Sequence, residues 1–105
     1  MKEQRLAAYF VFQNRILDAQ KMQAYIPKAL ETMVAYAPEV LVLDEHSQVI
    51  EGNAPFPRTV IIKFAWREAA MAWYNSPEYQ AIRGLRVEAT EGFGVLVDGF
   101  VSPGS

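Results

Sequence analysis

The sequence predicts an α+β fold, a four-stranded antiparallel sheet with helices on one face and elements in the order βαββαβ. Three observations carry this expectation. Strand-like runs at 6–13, 59–65 and 93–97 alternate with segments whose apolar residues recur at three- and four-residue steps. Short extended pieces at 39–43 and 48–51 supply the strand pair between the first helix and the strand at 59–65. The 105 residues show no break in composition, so one domain spans 1–105, with its core over 6–99 and a frayed tail over 100–105.

Leu6 to Gln13 is the first strand. Ala7, Tyr9 and Val11 line one side, Ala8, Phe10 and Phe12 the other, and a strand apolar on both faces is covered twice. Basic residues precede its apolar stretch, as in a secretory leader. Gln13, Asn14 and Arg15 follow instead of a small-residue cleavage site, which favours the strand. Asp18 is suited to cap a helix over about 19–36, whose stripe runs through Met22, Tyr25, Ile26, Ala29, Leu30, Met33 and Ala37. Pro27 lacks the amide a helix interior needs and should kink or divide it near Tyr25; Ala37-Pro38 ends it.

The pieces 39–43 and 48–51 are joined by Asp44-Glu45-His46-Ser47, a polar turn or bulge, and Gly52 to Arg58 with its two prolines reads as a loop. Thr59 to Ala65 is again apolar on nearly every position of both faces, which suits a central strand. Arg67 to Asn75 forms a short helix. Ser76-Pro77-Glu78 is a stop and a start: Ser76 can accept from an exposed amide, Pro77 has no N–H to leave unpaired, and Glu78 favours the positive helix end. A third helix therefore runs over about 77–88, and the last strand, 93–97, is entered through Gly92.

Ten basic against twelve acidic side chains, with no basic stripe, argue against attraction to nucleic acid or an anionic membrane. No apolar run approaches the roughly 20 residues of a membrane span. Without cysteine there is no disulfide, thiolate nucleophile or cysteine-ligated metal; a cytoplasmic location is expected. Helices on one face leave the other face of an apolar sheet uncovered, which predicts a homodimer with two sheets packed face to face.

The run AWYNSPEYQAIRGLR at 72–86, with Glu51-Gly52, Pro57-Arg58 and the strand TVIIKF, resembles the domain-of-unknown-function 1330 family. That family lies within the dimeric α+β barrel superfamily of ferredoxin-like folds. The likeness covers Ala8 to about Gly99 and is most specific in WYNSPEYQ, where a tyrosine, Ser-Pro-Glu-Tyr and a following arginine recur. The family often carries a glycine pair after its first helix, where this chain has Ala37-Pro38, so that turn should differ. The resemblance implies a ferredoxin-like dimer. By analogy with related barrels, it also implies isomerase-like or cofactor-independent oxygenase-like chemistry.

Candidate chemistry is sparse. His46 is the only histidine, and Glu51 could act as a proton acceptor if buried, so these two are the catalytic candidates. No phosphate loop, metal-ligand spacing or nucleotide motif is present, so no cofactor and no metal are expected. A polar-aromatic set of Tyr25, Arg58, Tyr74, Tyr79 and Arg86 remains as ligand-binding candidates, beside Trp73 and Glu78, whose packing and helix-end roles account for them. The arginines offer planar donor forks for a carboxylate, which points to a small organic acid. The other reading is a non-catalytic dimeric module in which the cleft is filled and the arginines are paired internally, Arg58 with Glu51. An open pocket or an unpaired buried arginine favours the first.

Overall fold

A computed structural model describes residues 6–101. Its elements are β1 (Ala8–Ile16), α1 (Ala19–Met33) with a 3-10 turn at Val34–Tyr36, β2 (Glu39–Asp44), β3 (Arg58–Phe64), α2 (Arg67–Tyr74), α3 (Pro77–Ala89) and β4 (Thr90–Asp98). The strands form one antiparallel sheet in the order β2-β3-β1-β4, the ferredoxin-like arrangement, with the two doubly apolar strands at its centre. Alternation along β1 sends Ala8, Phe10, Phe12 and Asn14 into the buried layer, where α1, α2 and α3 cover the sheet. Tyr9, Val11 and Gln13 face the other way.

The Asp18 carboxylate accepts from the Lys21 amide at 3.1 Å and starts α1 as its sequence suggests. The division expected at Pro27 does not occur, and α1 is continuous to Met33. Pro27 and the residue four before it, Gln23, are both exposed, so water can take the carbonyl that proline leaves unpaired. The buried stripe of Met22, Tyr25, Ala29 and Met33 anchors the helix on either side of the proline. The chain then reverses at Ala37, which adopts left-handed φ +47° and ψ 49° and donates its N–H to the Met33 carbonyl at 3.1 Å.

Residues 48–51 form no strand, contrary to expectation. β2 ends at Asp44, residues 48–51 join no ladder of the sheet, and 45–57 is irregular. Ser47 pins that segment, its N–H on the Pro57 carbonyl at 2.8 Å and its hydroxyl 2.7 Å from that of Thr59. The bend expected at 44–47 is present at 45–46, just after β2 ends, and a further irregularity lies inside β2 as a register shift between Val40 and Val42.

The last strand starts three residues earlier than expected because α3 feeds into it without a linker. The Ala89 carbonyl accepts from Leu17 and Asp18, at 2.7 and 3.1 Å, and locks that corner to the end of β1. Gly92 lies inside β4 opposite Asn14 with φ +153°. A Cβ there would stand 2.1 Å from the Gln13 carbonyl oxygen, so only glycine fits. The tail expected over 100–105 falls largely at 102–105, outside the described residues.

Candidate functional site

The joint between α2 and α3 organises the buried side of the site. The Ser76 hydroxyl donates to the Trp73 carbonyl at 2.7 Å and accepts from the Tyr79 amide at 3.2 Å, so one side chain closes the first helix and opens the second. This sets Trp73 and Tyr79 against each other with ring centroids 4.1 Å apart. The Trp73 indole donates to the Thr32 hydroxyl at 2.9 Å. Phe10 and Phe64 pack on the indole from the sheet.

From Tyr79 a polar chain leads outward. Its hydroxyl lies 2.7 Å from that of Tyr25 and accepts from Nε of Arg86 at 3.2 Å. Burial, and then the neighbouring Tyr79 phenol, push the Tyr25 hydroxyl far above the ordinary phenol range, so it stays protonated at any working pH. Burial opposes the charge on Arg86, but the two phenol oxygens outweigh it and hold the guanidinium above its ordinary value. The same guanidinium lies 5.0 Å from the centroid of the Phe12 ring. One turn earlier on α3, Arg83 donates to the Tyr74 hydroxyl and lies over its ring at 5.6 Å.

These groups border two cavities of different character. The larger, about 360 Å³, lies between α3 and the β1–β4 half of the sheet, and its polar lining comes from Asn14, Tyr74, Arg83, Arg86 and Thr90. Gly92 and Gly94 keep its floor low; a Cβ on Gly94 would meet the Phe12 ring at 2.6 Å. The smaller, about 90 Å³, lies under α1 towards β2 and β3, walled chiefly by Met22, Ala29, Met33, Leu43 and Ile62. Phe12, Asn14 and Arg86 line both.

Tyr25, Tyr79 and Arg86 are thus joined in one hydrogen-bonded chain, and Tyr74 stands across the larger cavity with Arg83. Arg58 is buried in the wall of the smaller cavity, its Nε 3.4 Å from Glu45 and one Nη 3.5 Å from the Asn14 side-chain oxygen. Its carboxylate partner is therefore Glu45, not Glu51. Glu51 and His46 are exposed in the 45–57 segment and line neither cavity; the His46 amide donates to Asp44 at 2.8 Å. Glu78 is exposed on the first turn of α3. Sequence reasoning missed Asn14 and Arg83. Asn14 carried a signal as the one polar residue at an inward position of β1, and Arg83 as the arginine one turn from Arg86 on the same helix face. Among the described residues no group of histidine, aspartate or glutamate side chains could hold a metal ion.

Fold and site together define a ferredoxin-like α+β protein with a cationic, aromatic cleft between helices and sheet. The chain belongs to the family described as Domain of unknown function (DUF1330), which matches residues 7–100. None of the curated proteins matches the sequence. Among solved structures, the RPA0582 protein of unknown function from Rhodopseudomonas palustris is similar with a TM-score of 0.77 at 11% identity, over 94% of this chain and 86% of that one. SnoaB, a cofactor-independent oxygenase from Streptomyces nogalater, superposes with a TM-score of 0.64 at 8% identity, over 95% and 99% of the two chains. A dimeric ferredoxin-like protein of unknown function from Thermobifida fusca YX gives 0.58 at 9% identity, over 93% and 95%. At these identities the likeness is one of fold.

Proposed function

We propose that the protein binds a small organic acid in the larger cleft and acts on it without a cofactor, in isomerase- or oxygenase-like chemistry. One observation carries the binding: Arg83 and Arg86 line the same cavity, are both partly buried, and have no carboxylate partner among the described residues. A desolvated guanidinium without a counter-ion is unfavourable, and a ligand carboxylate or enolate would supply one in bidentate geometry. Two cations aimed at one cavity also suit an enolate, whose charge develops along such a reaction. That SnoaB, with the same fold, is a cofactor-independent oxygenase is consistent with this chemistry.

A second reading, a binding module without turnover, is favoured by a different observation. The lining of the larger cavity contains no carboxylate and no imidazole to take a proton. Isothermal titration with benzoate against the native protein and Arg83→Gln tests the binding common to both. Affinity should fall about tenfold or more in the variant, as for a lost charge-assisted hydrogen bond of about 1.5–3 kcal/mol. Equal affinity would remove the proposal. Turnover of a bound enolisable acid then separates enzyme from module.

The functional unit in this reading is a cytoplasmic homodimer. The sheet face away from the helices presents Phe93, Val95 and Val97 at 51, 45 and 42% exposure beside Val11 and Ile61, a contiguous apolar row of the kind that marks an interaction surface. A second copy of the same face would cover it. Sedimentation equilibrium giving only an 11.9 kDa species at micromolar concentration would rule it out.

A further inference from the structure

The geometry points to a ligand in two parts: an anionic, unsaturated head in the 360 Å³ cavity at Arg83 and Arg86, and a short alkyl arm passing Arg86 and Phe12 into the 90 Å³ apolar cavity beneath α1. This rests on the acid-binding reading and deepens it by naming the substrate class. The two cavities share Phe12, Asn14 and Arg86, so the partition between them is made of side chains, two of them long. Arg86 forms its side of that partition by lying over the Phe12 ring, with Nε committed to Tyr79. The guanidinium also hydrogen-bonds the Tyr25 hydroxyl, and its remaining N–H donors can meet a carboxylate at the boundary of the two chambers.

Chemistry and size divide the ligand. The larger cavity presents guanidinium, amide and hydroxyl groups with the Phe10, Phe12 and Tyr74 rings, a setting for a charged planar head. The smaller is walled by Met22, Ala29, Met33 and Ile62, and methionine reshapes readily around alkyl groups. An apolar cavity of about 150 Å³ holds benzene, so 90 Å³ takes a few methylenes and excludes a second ring. Its outer lining includes the half-exposed Leu30 and Leu43, so a longer arm would emerge between α1 and β2 and gain little more.

The test is a titration of benzoate and its 4-methyl to 4-hexyl derivatives against the native protein, Ala29→Leu and Leu30→Phe. The first three or four carbons should each tighten the dissociation constant about threefold to fourfold, the worth of one buried methylene, after which the gain should flatten. Ala29→Leu fills the inner cavity and should abolish the chain-length gain while leaving benzoate itself within about twofold. Leu30→Phe, at the half-exposed rim, should blunt the gain without burdening the core and serves if Ala29→Leu does not fold. Benzoate binding with no chain-length gain, or a gain that both folded variants retain, would overturn the two-chamber ligand alone. Failure of every acid to bind would overturn the acid-binding reading and this inference with it.

Discussion

The two faces of the sheet are built from the same kinds of residue and meet opposite fates. On the helix side, Phe10, Phe12, Ile62 and Phe64 are buried, with Trp73 and Tyr79 packed over them and their polar atoms paired. On the other side, Tyr9, Val11, Ile61, Val95 and Val97 are nearly as apolar, yet no helix among the described residues covers them. A strand that answers only to its own domain alternates apolar with polar; β1 does not. The second face is the one proposed to meet a second copy, whereas the first is closed save for the two cavities beside α3 and beneath α1.

The strongest way to break this contrast is to charge the open face. Val95→Lys places an ammonium opposite Val11 at the centre of the proposed dimer interface. Burial of an unpaired charge costs several kcal/mol, so dimer dissociation should rise about a hundredfold or more while the far-ultraviolet circular dichroism stays native. Sedimentation at matched concentrations measures it. An unchanged dimer would show that the open face is not the interface.

What could be read in advance follows the range of the interactions. The caps at Asp18 and Ser76 were legible because each depends on an amide three residues away. The doubly apolar β1 and β3 announced their central places for a similar reason, since composition alone reports two-sided burial. Residues 48–51 were misread because extended backbone becomes a strand only when it is paired, and pairing across the sheet is not stated by the local sequence; these residues join no ladder. The site was half legible. Tyr25, Tyr79 and Arg86 stood out as residue types, but their union needs α1 packed against α3 across 54 residues of sequence. The pairing of Arg58 with Glu45 depends on how the 45–57 segment lies against β3, which no local pattern states.

A smaller effect tests the closed face. Ser76 is buried, and its hydroxyl serves both the Trp73 carbonyl and the Tyr79 amide, so Ser76→Ala should destabilise by about 1–2 kcal/mol, the upper range for a lost cap. For a chain of this size that lowers the melting temperature by roughly 4–15 °C. Ser76 lines neither cavity, so benzoate affinity should be unchanged. Lost affinity with an unaltered melting temperature would instead place Ser76 in the binding site.

The smallest effect concerns the other joint of the closed face, where α1 turns towards β2. The joint at Ser76 is satisfied by a side chain; the joint at Ala37 is made by backbone alone, with a left-handed alanine where a glycine would be free of strain. The left-handed conformation costs a non-glycine residue about 1–2 kcal/mol, and glycine returns about 0.4–1 kcal/mol of that through the greater freedom of the unfolded chain. Ala37→Gly should therefore stabilise the protein by about 0.5–1 kcal/mol, raising the urea midpoint without changing the slope of the transition. Ala37 is exposed and borders neither cavity, so benzoate affinity and dimerisation should stay as they are. A lower midpoint would mean that the rigidity of Ala37-Pro38 in the unfolded chain outweighs the strain in the folded one, and that this joint, like the one at Ser76, is already at its best residue.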